Sequence, residues 1–546
     1  MTGGPGRPRW SDATAAAGAL RRRPGDRRTL LLLASLPLLP ERAIERLAGL
    51  RSGARAYGGL RRLAGTGLVG AVYPAGLPGH GARLFHLTDL GLAAVALDQH
   101  VALEPLARRQ RLRRADLLGR LPGLPHLLAG YELLAALAAC RPGRPDLLAW
   151  ERPWRRRYRR ATAKHPVAAA LPAYAALAWD PPTGEAEGAE GAGAYLLLPD
   201  LATFPLRQYR PALDHLLALR ALGAPDGGPF PTLVVATRDA ARAAAWEALL
   251  EEARRGRAEA PLAACVAVWG ALPAGLEPLR GGADPPRSPS SLVRRVRLPR
   301  GTPAHPDRPL PRLVGAPLGA PAASVPPGGA PAAPGAVALG LSATDRALLD
   351  LVGRHPFLTA GRLAAFAGRP PAATRQRLDR LVAVGLLRRV GPQEAPAVPG
   401  VHGLAELTLA GLRLVAAQQG LTLGAAVRAN GLAGGGPDTP VGARRTLLWR
   451  LAHTVGADGV FVGLAAGARR GAAGRDGALL EWRGAAACAR GGVRPDGYGL
   501  YRHDGRLYGF FLEYDRGTMR AGEYRAKFAA YHEQWARGRF APDRAE

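Results

Sequence analysis

The sequence predicts an α/β chain of the α+β kind, a helical module followed by a mixed sheet with helices, with this plan written twice. Three observations predict it. Segments of the two halves match at a nearly constant offset, each half passes from helical periodicity to short apolar or alternating runs, and a Pro/Ala/Gly-rich stretch separates them. Leu32–Pro40 matches Leu351–Thr359, Gly59–Val69 matches Arg377–Leu387, and His86–Leu92 matches Glu406–Leu412, at offsets of 319, 318 and 320 residues. Pro37 then answers Pro356, Leu60 answers Leu378, Gly67 answers Gly385, and Thr88 with Gly91 answers Thr408 with Gly411.

The second copy is the clearer one. Ser342 reads as the N-cap of a helix over 343–354 carrying Leu348, Leu349, Leu351 and Val352. Thr359 caps a second helix with Leu363 and Phe366, and a third starts after Pro370-Pro371 and turns Leu378, Leu381 and Val382 inward. Gly385 ends it as a left-handed cap. Leu386–Val390 and Leu404–Thr408 read as two strands, and Thr408 caps a further helix. Three helices and a two-stranded wing make a winged helix, a helix-turn-helix variant whose third helix enters the major groove while basic wing residues meet phosphates. The candidate contacts with duplex DNA are Thr374, Arg375, Gln376, Arg377 and Arg380 on the third helix and Arg388 and Arg389 on the wing. The competing reading is a winged helix that touches only protein.

In the first copy the third helix contains Gly58-Gly59 and fewer basic side chains, so it reads as a packing partner. Gly65-Thr-Gly67-Leu-Val-Gly70 formally matches G-x-G-x-x-G, but it follows a helix and opens a wing, so it reads as a turn. Arg21–Arg23 followed by apolar Thr29–Leu39 imitates an export signal; the repeat assigns that run to the first helix of a folded module instead.

Bulk properties agree with a polyanionic partner. The 546 residues carry 74 Lys+Arg against 43 Asp+Glu, a formal charge of +31, and Lys164 and Lys527 are the only lysines. Arginine, alanine and proline richness also tracks a GC-rich genome, but a field this positive favours nucleic acid. Cys140, Cys265 and Cys488 stand far apart with no Cys-x-x-Cys pair, which argues against a disulfide scaffold and a structural zinc site and for a reducing cytoplasm. No run of about 18 apolar residues is evident, so no membrane span is expected.

Downstream the repeat is fainter. His126 answers His453, each on an apolar helix (125–139 and 444–464), where a lone histidine is by default a satisfied structural group. Trp150 answers Trp482 at a strand start. Asp200, Thr203, Tyr209 and Arg210 align with Asp515, Thr518, Tyr524 and Arg525 at an offset of 315. In the second copy Arg494-Pro-Asp-Gly497 leads into two alternating runs joined by Asp504-Gly505, a hairpin signal, and then Phe511-Leu-Glu-Tyr-Asp-Arg-Gly-Thr518 and a helix through Trp535.

With these motifs, residues 342–535 resemble the replication-relaxation family of plasmid and mobile-element proteins. The resemblance implies a role in replication or maintenance of mobile DNA. The order strand, Pro-Asp, strand, Glu-x-Asp, helix is also similar to the PD-(D/E)xK nuclease core. There Asp496 and Glu513 would hold Mg²⁺ and a lysine would activate water. Asp515 occupies the lysine position, and Lys527 is the available substitute. Glu513, Asp515 and Arg516 equally suit an internal ion-pair network, so the chain reads as an uncertain enzyme with no cofactor, or with Mg²⁺ if the site is active. In the first copy Leu198 replaces the glutamate and only Asp180 and Asp200 remain, which predicts an inactive unit.

The expected organisation is a disordered basic tail (1–27), a degenerate winged helix (28–97), a degenerate nuclease-like α/β domain (98–300), a linker (301–339), a winged helix (340–418) and a nuclease-like domain (440–546). The last is short: the strands at 232–236 and 264–269 have no counterpart in it, so it is either truncated or a small sheet. Leu292–Leu298 is a candidate edge strand, and 183–194 a loop. Arg152–Arg160 interleaves arginines, among them Arg155, Arg156, Arg157 and Arg159, with Trp154 and Tyr158. That pattern suits single-stranded DNA, or else a solvated face. The leading reading is thus a cytoplasmic DNA-binding protein, with a Mg²⁺-dependent nuclease or nickase and a winged-helix regulator or scaffold as competitors. The oligomeric state is not legible.

Overall fold

The computed structural model describes residues 7–49, 53–75, 83–139, 146–149, 155–158, 167–170, 176–180, 194–203, 206–221, 231–255, 262–276, 298–301, 305–315, 318, 334–391, 394, 398, 401–430, 448, 450–470, 477–489, 493–517 and 519–537. It mixes helix and strand and divides into two compact units, residues 1–324 with 338–340 and residues 325–337 with 341–546.

Unit 1 begins with α1 (Trp10–Arg21), α2 (Pro24–Ser35), β1 (Leu39–Pro40), α3 (Glu41–Leu47), α4 (Gly53–Gly65), β2 (Val69–Val72), β3 (Leu84–Leu87) and α5 (Asp89–Asp98). The three strands form an antiparallel sheet in the order β1-β3-β2. Helix α1 corrects the expected disordered tail: Ala13, Ala17 and Leu20 are buried, and Asp12 accepts the Arg9 N–H at 2.8 Å to close the first turn. Glycine and arginine dominate that stretch and mask an apolar stripe spaced 4 and 3 residues apart.

The chain continues with α6 (Leu103–Gln110), α7 (Arg114–Arg120), α8 (Leu124–Ala139), β4 (Asp146–Ala149), β5 (Arg155–Tyr158), β6 (Val167–Ala170), β7 (Ala176–Asp180), β8 (Ala194–Pro199), α9 (Arg210–Ala221), β9 (Thr232–Thr237), α10 (Ala240–Arg254) and β10 (Ala264–Val268). One five-stranded sheet runs β10-β9-β8-β7-β4, parallel from β8 to β10 and antiparallel from β4 to β8; β5 and β6 pair separately. Strand β9 is buried along its whole length, as a continuous apolar run in a parallel sheet requires. Part of the expected linker belongs to this unit. Asp89 accepts N–H bonds from Leu313, Val314 and Gly315 at 2.9, 2.7 and 3.1 Å, and Leu310 and Val314 are buried. A carboxylate at a helix start gathers backbone donors there, so proline content alone misreads the segment as a spacer. Residues 277–297, with most of the candidate edge strand, and 183–193 lie outside the described residues.

After α11 (Pro334–Leu339), unit 2 contains α12 (Ala343–Arg354), α13 (Ala360–Ala367), α14 (Pro371–Ala383), β11 (Leu387–Arg389), β12 (Ala405–Leu407), α15 (Leu409–Gln418), α16 (Leu423–Asn430), α17 (Leu451–Arg470), β13 (Ala478–Gly484), α18 (Ala485–Cys488), β14 (Gly497–His503), β15 (Arg506–Leu512) and α19 (Ala521–Ala536). Ser342 caps α12 through a reciprocal box with Asp345, Thr359 caps α13, and Thr408 caps α15. Each such cap is worth about 1 kcal/mol. β11 and β12 pair antiparallel, and β13-β14-β15 form an antiparallel sheet whose β14–β15 turn is Asp504-Gly505, both at positive φ.

The two modules are built alike in detail. Thr88 Oγ1 accepts the Gly91 N–H at 3.1 Å and donates to Gly67 O at 2.5 Å; Thr408 accepts from Gly411 at 3.1 Å and donates to Gly385 at 2.6 Å. Gly67 and Gly385 turn at φ 72° and 74°. Leu38 and Phe357 share the left-handed region at φ 66° and 72°, and each gives its N–H to the strand beside it, Phe85 O and Ala405 O, at 2.9 Å. A bulky residue held at positive φ carries strain, which the strand bond and burial of the side chain offset.

Two helical stretches, 103–139 and 451–469, are long and apolar enough to cross a membrane by length and composition, contrary to the sequence expectation. The first is broken into separate helices and 78% buried within its unit; the second, α17, packs on α13 and β13 and carries His453 and Asp458.

Candidate functional site

The outward face of α14 is narrower than the sequence suggested. Arg375, Gln376 and Arg380 are exposed. Thr374 turns inward, 1% exposed, with its hydroxyl on Pro370 O at 3.1 Å, so it leaves the set of candidate DNA contacts. Arg377 reaches back to α12, donating to Asp345 Oδ1 at 3.0 Å and Ser342 Oγ at 3.1 Å. This strut fixes the angle of α14 against the first helix. Burial raises the Asp345 carboxyl, but the Ser342 hydroxyl and N–H, and after them Arg377, hold it below the usual range. Unit 1 carries the same strut one turn further along: Asp26 of α2 accepts from Arg62 of α4 at 2.7 and 2.9 Å. Arg388 is tied to Glu394 at 2.7 Å and to buried Glu406, and Arg389 to Asp379 at 2.8 Å and Gly403 O at 2.9 Å. Arg388 and Arg389 therefore hold the paired strands β11 and β12 in place first. Of the basic stretch, 155–158 is strand β5, while Trp154 and Arg159 lie outside the described residues.

The helical module is joined to the sheet of unit 2 through Trp482 of β13. The ring of His355, at the end of α12, stacks on it at 3.4 Å, and Phe461 and Phe366 lie at 5.1 and 5.3 Å. Burial, and secondarily the Arg354 charge, push His355 down to about 3, so it packs as a neutral ring.

The second cluster lies where β15 ends. Asp496 donates its N–H to Leu512 O at 2.9 Å, which sets it beside Glu513, and its Oδ2 accepts the Tyr514 N–H at 2.9 Å. His453 Nε2 stands 2.8 Å from Asp496 Oδ1, an ion pair when the imidazole is protonated. The Tyr514 ring fits edge-on against His453 because Gly456, three residues along α17, leaves no side chain in its way. From α19, Lys527 Nζ pairs with Glu513 Oε2 and Tyr531 Oη donates to Glu513 Oε1. Burial first, then the Glu513 and Asp496 charges, raise the Tyr531 phenol, so it remains a donor. Asp515, exposed, accepts from Tyr524. Asp496, Glu513 and Lys527 thus come together, while Asp515 sits with its tyrosine one step away.

Sequence reasoning had left His453 as structural and had not named Tyr531. The signal for Tyr531 was its spacing from Lys527, one turn apart on one helix face. Both oxygens of each carboxylate already face an N–H, an O–H, an imidazole or an ammonium. Among the described residues no three His, Cys, Asp or Glu groups are placed to hold a metal. Mg²⁺ asks for near-octahedral oxygens at about 2.0–2.1 Å. The residues as placed do not fit it.

In unit 1, Leu198 is buried on β8 and Asp200 is a packed acceptor, 1% exposed, for Trp246 Nε1 at 2.7 Å, Arg242 Nε at 2.8 Å and Tyr209 Oη at 3.5 Å. The Asp200–Tyr209 contact repeats that of Asp515 with Tyr524. Asp180 ends β7 opposite Asp146, and β7 runs antiparallel to β8 with Ala176 opposite Leu196, so the positions of Asp180 and Asp200 lie at opposite ends of the sheet. Cys265 and Cys488 are free and buried; Cys140 lies outside the described residues.

No curated protein and no solved structure matches the chain. The family model described as Replication-relaxation matches residues 349–545, so from the middle of α12 onward this chain is similar to the replication-relaxation family.

Proposed function

We propose that this chain binds duplex DNA, in the replication or maintenance of plasmid or other mobile-element DNA, through α14 used as the recognition helix of a winged helix spanning α12 to α15. The observation that carries the reading is the exposed set Arg375, Gln376 and Arg380 on the third helix of a three-helix and hairpin module, inside the stretch similar to the replication-relaxation family. Arginine and glutamine are the side chains that pair two-pronged with guanine and adenine edges, and a helix that is braced by Arg377 and Asp345 presents them at a fixed angle. The shared Thr–Gly turn, positive-φ residue and Asp–Arg strut support reading α2 to α5 as a duplicated module, in which Gly59 stands where unit 2 has Arg377. The net charge of +31 favours a polyanion in a reducing cytoplasm.

Arg375→Glu with Arg380→Glu tests this by fluorescence anisotropy on duplex DNA. Affinity is expected to fall at least about a hundredfold at moderate salt, since two phosphate or base contacts become repulsive. Unchanged affinity would shift the reading to a winged helix that contacts protein. A second reading, a nuclease centred on Asp496 and Glu513, is favoured by the arrival of Lys527 on Glu513. The engaged carboxylates weigh against it. Supercoiled plasmid incubated with Mg²⁺ is expected to remain intact; nicking that disappears in Asp496→Ala would establish the second reading instead.

A further inference from the structure

The hairpin of unit 2 has no net charge of its own. From β11 to β12, residues 387–407 carry Arg388, Arg389, Glu394 and Glu406, with His402 as the remaining ionisable side chain. A hairpin made only to meet phosphates would carry an excess of base. Here each arginine already holds a carboxylate, and the two are held differently. Arg388 lies on Glu394 and on Glu406, whose side chain is 1% exposed. Drawing it away would leave a buried carboxylate without its cation, which is costly, so Arg388 stays. Arg389 gives Nη1 to Gly403 O at 2.9 Å and Nη2 to Asp379 Oδ1 at 2.8 Å. Asp379 is 61% exposed, and an ion pair in that much water is weak, so a phosphate can compete for Nη2. Nη1 keeps its bond to Gly403 O when Nη2 turns away.

Asp379 stands on the exposed face of α14, four residues from Arg375, three from Gln376 and beside Arg380. A negative charge there repels a duplex, the opposite of what general affinity calls for. The module does not need the pair in order to fold. At the offset of 318, unit 1 has exposed Arg61 in place of Asp379 and Ala71 in place of Arg389, yet α4 leads into the same antiparallel hairpin.

We propose that Asp379 is a specificity-determining residue, which accepts from the 4-amino group of a cytosine at the preferred site and keeps Arg389 to itself on other sequences. Of the four base edges in the major groove, only that of cytosine offers a donor and no acceptor. On cytosine, Asp379 takes the amino N–H in place of its cation, and Arg389 Nη2 moves to a phosphate. One base contact and one phosphate contact then form together. On another base Asp379 faces an acceptor or a methyl group, retains Arg389, and the hairpin contributes no charge. The gain at the right site and the repulsion at wrong ones act in the same direction. The proposal rests on the reading of α14 as the helix that meets duplex DNA, and adds what that helix selects.

Selection by the full chain from a pool of duplexes with a random core tests it, with the retained sequences read after several rounds. The wild type is expected to enrich a site with a fixed cytosine. Asp379→Ala, a substitution that an exposed helix position accepts, should flatten the preference at that cytosine and leave the other positions as they were. Asp379→Asn should turn it toward adenine, the base whose edge suits a carboxamide. On one duplex that lacks the site, Asp379→Ala should bind at least about fivefold tighter, with a salt dependence steeper by about one phosphate contact, because Arg389 is released. A cytosine preference that both variants retain overturns the proposal. So does a wild type that captures duplex without enriching any site, and in that case the duplex-binding function stands. A chain that captures no duplex at all overturns both.

Discussion

Gly411→Ala is expected to unfold the helical module of unit 2. A β-carbon at position 411 would fall well inside contact distance of Leu386 O, 3.1 Å from its carbonyl carbon and 3.1 Å from Leu407 Cδ2. The obstacle is backbone on one side and a packed side chain on the other, so nothing cheap can move. Leu386 O is also the acceptor for the Thr408 N–H at 3.0 Å, and a shift there opens the cap of α15 and the end of β12 together. The loss should be on the order of 3 kcal/mol or more, the range of severe overpacking joined to a lost cap. Gly91→Ala should do the same to unit 1, where the obstacle is Leu68 O with its carbonyl carbon at 2.9 Å. Gly463→Ala, in the middle of α17 with nothing within 4 Å, is the control and should gain about 0.5–1 kcal/mol. Hydrogen exchange at 405–418 reads the first and third changes, and protection retained in Gly411→Ala would mean that the Thr–Gly turn does not hold the hairpin to the helix.

Unit 2 should also be acid-labile through one histidine. His355 titrates near 6.5 when unfolded and near about 3 in the Trp482 stack, because the buried ring cannot accept a charge. Between those values the unfolded chain binds the extra proton, so stability falls as pH drops from 6.5 toward 3. Above 6.5 the ring is neutral in both states and the effect vanishes. The slope is about 1.4 kcal/mol per pH unit well below 6.5, or roughly 3 kcal/mol by pH 4.5. His355→Phe keeps a flat ring on Trp482 and should abolish that slope. Denaturant midpoints of the wild type and His355→Phe between pH 7 and 4.5 check this, and parallel curves would show that the charge on His355 escapes to solvent.

Much of the helical module was legible because its signals are local. Ser342, Thr359, Thr408, Pro371 and Gly385 act on the backbone within four residues, and all five do what their chemistry dictates. The residues of the outer face of α14 were half legible. Helical spacing puts Thr374 and Arg377 near the outward face, but their inward turn depends on Pro370 O and on Asp345, a residue 32 positions away. At the carboxylate cluster, the sequence offers Asp496, Glu513 and Lys527 as candidates, and in the structure Lys527 reaches Glu513 while Asp496 bonds the neighbouring Leu512 O. His453 was not among them, since its approach to Asp496 is set by how α17 crosses the sheet, through Gly456 and Tyr514. Strand direction is not legible in composition either: the antiparallel pairing of β7 with β8 sets the position of Asp180 away from Asp200. Helix α1 was missed because arginine and glycine hid Ala13, Ala17 and Leu20.

Whether the exposed face of α14 lies on duplex DNA, as we propose, is read by a photo-crosslink from a benzoylphenylalanine at position 376, compared with one at position 529, an exposed site on α19. Covalent capture of duplex is expected from position 376, suppressed by unlabelled duplex and by high salt. Capture from position 529 alone would contradict it, and would move DNA recognition from the helical module to the C-terminal sheet and helix.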